Sequence, residues 1–175
     1  MKPLRTLVVL VWLIFAAAVS RSAPPPPPPP AEARQFDFWL GEWAVTTPDG
    51  KAAGVSRIES IAGAHALLEN WEGAGGSTGK SLNVYNPARK QWQQFWVDNS
   101  GGVLELAGGL VGGNMVLANS ARQADGSTMQ NRITWTPHPD GSVRQLWEQS
   151  TDEGKTWQVA FDGLYRHSAR KDPIK

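Results

Sequence analysis

The chain has 175 residues, with 17 Lys and Arg against 16 Asp and Glu and a formal net charge of +1. Loss of Lys2 and Arg5 with an N-terminal signal would change the net charge to −1, too weak a field to recruit nucleic acid or anionic lipid. The sequence contains no Cys, so we expect no disulfide, no thiolate metal site and no lipid anchor on a cleavage-site cysteine.

The first segment is typical of a secretory signal peptide. Lys2 and Arg5 give a positive start, Leu7–Phe15 is an unbroken apolar run, and the small residues AAAVS follow it. The apolar run is far shorter than the roughly 20 residues of a membrane-spanning helix. We therefore expect cleavage after Ser20 or after Ser22, export to the periplasm or the extracellular space, and no membrane insertion afterwards.

A run of prolines from Pro24 to Pro30 follows the signal. Proline cannot donate a backbone hydrogen bond and favours a stiff polyproline II rod, so the run predicts a spacer. About 145 residues remain after the signal, enough for one core and too few for two. The predicted organisation is a signal peptide (1–20), a Pro-rich tether (21–34), a single barrel domain (35–167) and a disordered tail (168–175).

Next come a short helical segment and a long series of strands. Within Ala31–Leu40, apolar residues recur at helical spacing, which predicts a short helix or 3₁₀ turn. From Gly41 to Tyr165, runs rich in Trp, Val, Ile, Leu and Thr alternate with turn signals at intervals close to the roughly 8–12 residues of an antiparallel meander. The pattern predicts an all-β fold, an antiparallel up-and-down barrel of about eight to ten strands. The predicted strands are Glu42–Thr47, Ala53–Ile61, Ala66–Glu72, Ser81–Tyr85, Trp92–Asp98, Val103–Ala107, Met115–Ala121, Met129–Thr136, Val143–Gln149 and Trp157–Tyr165.

The start of the first strand resembles a known barrel signature. Gly41-Glu42-Trp43, directly after the helical segment, is similar to the Gly-x-Trp motif of lipocalins and of the wider calycin superfamily. In those barrels the Trp closes one end and an Arg from the last strand packs across its ring. The resemblance therefore implies structural roles for Gly41, Trp43 and Arg166, the last through a cation–π contact of about 0.5–2 kcal/mol.

Further motifs extend the resemblance over most of the chain. They are FDFWLGEW from Phe36, NVYNP from Asn83, WQQFWVD from Trp92, RITWTP from Arg132 and FDGLYR from Phe161. Together they resemble a family of uncharacterised, exported bacterial lipocalin-like proteins, which supplies no activity to carry over. The strand count departs from the eight of true lipocalins and is nearer the ten of fatty-acid-binding and nitrobindin-like barrels.

Tryptophan is the distinctive residue, with eight of the nine following the signal segment. Any single Trp is most simply a core residue. The alternation of side chains along a strand indicates a face that mixes polar and aromatic groups. Glu69 shares a face with Trp71, and Gln94 shares one with Trp96. Such a face suits a dry core poorly, since each unpaired buried polar group costs about 1–3 kcal/mol.

Parity alone does not say which face is inward, because Leu82, Val84, Phe95 and Val97 make the opposite face apolar too. We expect the polar-aromatic face to point inward, with the outer apolar residues covered by a second subunit in a homodimer. The leading hypothesis is then a small-molecule ligand, polar-aromatic or lipid-like, held in the lumen. The predicted ligand-binding residues are Glu69, Trp71, Asn83, Tyr85, Gln94, Trp96, Gln145 and Trp147.

Two alternatives remain open. The first is a calycin-type enzyme in which Glu69 or Tyr85 transfers a proton to or from a bound lipid or isoprenoid. Against a catalytic Glu69, a salt bridge to Arg132 or Arg144 across the sheet is the simpler expectation. The second alternative is a ligand-free interaction module with a filled interior.

Other candidate motifs predict no catalytic residue, metal site or cofactor. The segment containing Ser77 matches G-x-S-x-G, but that elbow requires a strand followed by a helix, and here the segment joins two predicted strands. The three histidines, His65, His138 and His167, have no metal-ligand spacing. Haem contact by His167, as in nitrobindin-like barrels, lacks a supporting pocket sequence.

Overall fold

The computed structural model describes residues 27–168. The predicted signal peptide and residues 169–175 of the predicted tail lie outside this range. Ten antiparallel strands form a closed barrel in which each strand pairs with its neighbours in the chain and the last pairs with the first. The predicted all-β, up-and-down barrel is therefore confirmed. The strands are β1 Gly41–Thr46, β2 Ala52–Ile61, β3 Ala66–Gly73, β4 Thr78–Asn86, β5 Gln91–Asp98, β6 Val103–Val111, β7 Asn114–Arg122, β8 Thr128–Pro137, β9 Val143–Ser150 and β10 Gln158–His167.

The N-terminal helical segment consists of two 3₁₀ turns, Ala31–Arg34 and Asp37–Trp39, and a third turn, Ala62–Ala64, joins β2 to β3. The first turn lies in the segment that we predicted to be tether. Ala33 within it is only 3% exposed, so the packed part of the chain begins before residue 35. No helix in the described range has the length and apolar character needed to cross a membrane.

Aspartate-glycine pairs produce two of the tight turns that connect the strands. In the turns at Asp125 and Asp140, the carboxylate accepts the backbone N–H of the residue two positions on, at 2.9 Å in each case. Gly126 and Gly141 then adopt φ values of +87° and +80°, which glycine reaches without steric cost. These local preferences fix the hairpins and hence the register of the strands.

One end of the barrel is filled by aromatic rings. Trp39, the last residue of the second 3₁₀ turn, and Phe36, the residue before that turn, insert between the strands and are fully buried. The Phe36 ring lies 5.6 Å from Trp92 and 5.1 Å from Trp135, both in edge-to-face geometry. We call Phe36, Trp39, Trp43, Trp92 and Trp135 the aromatic plug; because Trp43 is only 1% exposed and the others 0%, the plug closes this end.

The polar-aromatic face points into the barrel. Glu69 on β3, Ser81 on β4 and Gln94 on β5 are at most 5% exposed. The outer face of β4 and β5 carries apolar residues instead, with Leu82 at 44% and Phe95 at 46% exposure. Polar groups therefore lie inside and apolar groups outside on this side of the barrel, the reverse of the usual arrangement.

Candidate functional site

The half of the barrel opposite the aromatic plug contains a cavity of about 650 Å³. Its mouth lies at the β3–β4, β5–β6, β7–β8 and β9–β10 hairpins, and its floor lies among the polar groups halfway down the barrel. The main wall residues are Glu69, Trp71, Gln94, Trp96, Asp98, Leu104, Asn119, Met129, Asn131, Ile133, Gln145, Trp147, Gln149, Phe161 and Tyr165. The volume lies within the roughly 300–1,000 Å³ that small-molecule sites occupy.

The aromatic walls lie over glycines. A Cβ on Gly79 would lie 2.2 Å from Cζ2 of Trp96, so the absence of a side chain lets the indole lie against the strand. The Trp71 ring lies against Gly54, and the Phe161 ring lies against Gly163, in the same way. The Trp71 and Phe161 rings then meet edge to face at 5.8 Å. Glycine thus leaves the lumen open while large rings line it.

Glu69 lies at the floor of the cavity and is 3% exposed. Ser56 Oγ donates to one carboxylate oxygen at 3.1 Å, and Ser81 Oγ donates to the other at 2.8 Å. Burial raises the pKa of Glu69 to about 7, and the hydrogen bonds from Ser81 and Ser56 lower it only in part. The carboxyl group therefore changes charge near neutral pH.

A chain of buried side chains leads to that carboxylate. Gln94 Nε2 donates to Asn83 Oδ1 at 2.8 Å, and Asn83 Nδ2 donates to Ser81 Oγ at 2.9 Å. Ser81 in turn donates to Glu69, so every bond in the chain is directed toward the carboxylate. This arrangement holds the ionised form of Glu69 in a fixed position.

A second polar cluster forms the facing wall. Asn131 Oδ1 accepts the indole N–H of Trp147 and the amide of Gln149, each at 3.0 Å. Tyr165 OH donates to Gln145 Oε1 at 2.6 Å. Burial, with a smaller contribution from the charge of Glu69, raises the pKa of Tyr165 well above its usual range, so the phenol stays protonated.

The structure brings six of the eight predicted ligand-binding residues to the cavity wall: Glu69, Trp71, Gln94, Trp96, Gln145 and Trp147. The other two are not among the wall residues. Asn83 is fully buried within the hydrogen-bonded chain. Tyr85 lies toward the plug, with its ring 6.2 Å from that of Trp92.

Our sequence reasoning missed several wall residues, including Asn131, Phe161 and Tyr165. Strand parity carried a signal for them, because Asn131 shares a face with Trp135 and Phe161 shares one with Tyr165.

Two expectations were wrong. Arg166 does not pack on Trp43, because it pairs with Ala44 on the outer face, and His167 stacks on the Trp43 ring instead. Glu69 forms no salt bridge with Arg132 or Arg144. Those arginines project outward and pair with Glu148 and Asp162, respectively.

Within residues 27–168, no group of three or more His, Cys, Asp or Glu residues is placed to bind a metal ion. The Ser77 segment joins β3 to β4, two strands, and so lacks the helix that a nucleophile elbow needs. Comparison of the chain with models of known protein families and with curated proteins gave no match. The resemblance to lipocalin-like proteins therefore stays a prediction at the level of family, while the barrel itself is established.

Proposed function

We propose that the protein binds a small molecule non-covalently in the lumen of its barrel. The observation that carries the proposal is the 650 Å³ cavity, closed at one end by the aromatic plug and open at the other. A barrel whose interior served only stability would be filled by side chains. Here buried amides and a carboxylate border open space instead.

The walls suit a ligand that is partly aromatic or apolar and partly polar. The rings of Trp71, Trp96 and Trp147 offer stacking surfaces near the mouth. The amides of Gln94 and Gln145 border the same space and can fix the orientation of polar groups. Ligand binding should therefore change Trp fluorescence.

The proposal includes export, which rests on the positive start, the apolar run and the small residues of the first 20 residues. A binding protein outside the cytoplasm would capture its ligand in the periplasm or the extracellular space. N-terminal sequencing of protein from its own host tests this, because an intact Met1 in all of the protein would contradict export by cleavage.

Native mass spectrometry of protein purified from its own host tests ligand binding. We expect an added mass of a few hundred daltons, a rough size for an occupant of such a cavity. Ala121→Phe, which places a ring in the cavity wall, should abolish the added mass. Ala118→Phe, on the exposed face of the same strand, should keep it. Absence of any bound mass, together with unchanged Trp fluorescence in a metabolite extract, would contradict the proposal.

The same spectra report subunit number and so test the homodimer that we propose for the outer face. Leu82, Phe95, Val97 and Val103 are 39–60% exposed there. Burial of these side chains between two copies would remove apolar area from water. Replacing Phe95 by Ser should then yield monomers, whereas a wild-type protein that is monomeric at micromolar concentration would rule the dimer out.

A second candidate function is proton transfer to or from a ligand, favoured by the pKa of Glu69 near 7. Tyr85, the other group that we considered, lies outside the cavity wall. Incubation of the protein with a lipid extract in D₂O tests this function, because reversible deprotonation would introduce deuterium at carbon. Deuterium incorporation with wild type but not with Glu69→Gln would support an enzyme. If neither protein incorporates deuterium, proton transfer is ruled out and only ligand binding remains as a function.

A further inference from the structure

We propose that the lumen selects an organic cation, a ligand whose ammonium group lies against Glu69 while its aromatic or apolar body lies between the tryptophan rings. The inference rests on the proposed function, since it names the chemical class of the ligand. It comes from the charges, the burial and the ring arrangement of the cavity.

The charged groups of the cavity wall are all acidic. Glu69 at the floor and Asp98 at the mouth are carboxylates, and none of the wall residues within 27–168 is Lys, Arg or His. Asp98 is held ionised because Ser100 and the backbone N–H of Gly102 donate to it, which lowers its pKa. An anionic ligand would meet repulsion from both ends of the cavity.

Glu69 has no counter-charge of its own. Its hydrogen-bond donors are two neutral hydroxyl groups, and no ion pair in the described part of the chain includes it. Entry of a neutral ligand would displace water from an isolated carboxylate, which is unfavourable. An ammonium group would supply the missing charge and form a charge-assisted hydrogen bond or ion pair.

The carboxylate keeps acceptor capacity for such a ligand. Each carboxylate oxygen can accept about two hydrogen bonds, and Ser56 and Ser81 use one on each oxygen. The side chain is also held in place, because Asn83 and Gln94 orient Ser81 from behind. A ligand ammonium would therefore meet a positioned acceptor and would not have to order it.

The aromatic walls favour the same class. Trp71, Trp96, Trp147 and Phe161 border the path from the mouth to Glu69. The face of an indole carries negative electrostatic potential and attracts cations, most strongly where water is excluded. The rings would thus stabilise the positive charge during entry as well as the apolar body after docking.

A series of three fluorescent probes, which share a dansyl group on a five-carbon chain and differ in the group at the end of that chain, tests the inference. Dansylcadaverine carries an ammonium group, N-pentyldansylamide is its neutral counterpart, and 6-(dansylamino)hexanoate carries a carboxylate. Energy transfer from the cavity tryptophans to the dansyl group reports binding. At pH 8 we expect the ammonium probe to bind at least about tenfold more tightly than the neutral probe, with the carboxylate probe weakest.

Glu69→Gln should remove the preference for the ammonium probe and leave the affinity of the neutral probe the same or higher. The matched control is Glu72→Gln, which removes the same charge from the exposed face of the same strand and should keep the preference. Asp98→Asn, at a half-buried position of the mouth, gives a second variant that does not depend on a fully buried substitution. We expect it to weaken ammonium binding about two- to threefold.

The outcomes separate the two proposals. Equal affinity of wild type for the ammonium and neutral probes would overturn the cation inference while lumen binding stands. A preference that persists in Glu69→Gln would also overturn it, because another group would then hold the charge. Binding of none of the three probes would overturn the cation inference, whereas the proposed function is tested separately by the added mass in native mass spectra and by the change in Trp fluorescence.

Discussion

Trp43 and His167 stack at the closed end of the barrel, with ring centroids 3.8 Å apart and ring planes 24° from parallel. The two residues face each other across β1 and β10, the pair of strands that closes the sheet. On its other side, the Trp43 indole N–H donates to the backbone carbonyl of Trp39 at 2.9 Å. The stack therefore joins barrel closure to the aromatic plug.

We expect His167→Ala to destabilise the protein by about 0.5–1.5 kcal/mol, because the substitution removes an aromatic contact at the closing strand pair. Urea unfolding followed by Trp fluorescence measures the change. Arg166→Ala is the matched control and should lie within about 0.5 kcal/mol of wild type, since Arg166 is on the outer face. A larger effect for Arg166→Ala than for His167→Ala would contradict this assignment.

Gly79→Ala should weaken ligand binding by displacing the Trp96 ring. The new Cβ would lie 2.2 Å from the indole and 2.9 Å from the Val97 carbonyl oxygen, so the ring must move. We expect about a threefold to tenfold loss of affinity for N-pentyldansylamide, measured by energy transfer.

Gly109→Ala controls for the change of residue type in a strand, because a Cβ there meets nothing within 4 Å. It should bind the probe as wild type does. Unchanged affinity in Gly79→Ala would mean that Trp96 does not contact the ligand.

Asn83→Leu should lower the free energy of unfolding by about 1–3 kcal/mol, because Gln94 loses its buried acceptor and Ser81 loses a donor. Thermal and urea unfolding measure the loss. Ser120→Leu, at an exposed position of β7, should change stability by no more than about 0.5 kcal/mol. If Asn83→Leu were as stable as wild type, the buried chain would not support the fold.

Stability should depend on the charge of Glu69 between about pH 4.5 and pH 7. The folded-state pKa of about 7 exceeds the ordinary value of 4.5, so the folded protein binds more protons than the unfolded chain across this interval. The stabilisation is complete below pH 4.5 and is lost as pH rises through 7. At 1.36 kcal/mol per pKa unit, the loss is up to roughly 3 kcal/mol.

Urea unfolding of wild type and Glu69→Gln at pH 5, 6, 7 and 8 isolates this contribution. The stability of the variant relative to wild type should rise with pH, because Gln cannot ionise. Tyr165, the phenol that faces Glu69, stays protonated over this range, and Asp98 stays ionised. Parallel pH curves for the two proteins would show that Glu69 titrates at its ordinary pKa.

The strand order was predictable because most of the hairpins carry their own turn signals. Asp125-Gly126 and Asp140-Gly141 specify tight turns locally, so their positions follow from the sequence without knowledge of the rest. Extending parity by two residues beyond Tyr165 would also have placed His167, and not Arg166, beside Trp43.

The interior was harder to predict, because it depends on contacts between distant strands. On β4 and β5, apolar residues such as Leu82 and Phe95 occupy the outer face, so hydrophobicity could not identify the inner one. The environment of Glu69 follows from its hydrogen bonds with Ser56 on β2 and with Ser81, its register partner on β4. Both of these serines are uncharged, so no pattern of charges in the sequence could identify them as the partners of Glu69.

The aromatic plug closes one end of the lumen, so a ligand would enter and leave past the hairpins at the other end. A molecule longer than the lumen can insert one end into the cavity, with the rest of its length in solvent beyond the hairpins. The protein could then hold one end of a chain, or a terminal group on a much larger structure, without enclosing the whole. Residence time would then depend on the contacts that the docked end makes with the walls of the cavity.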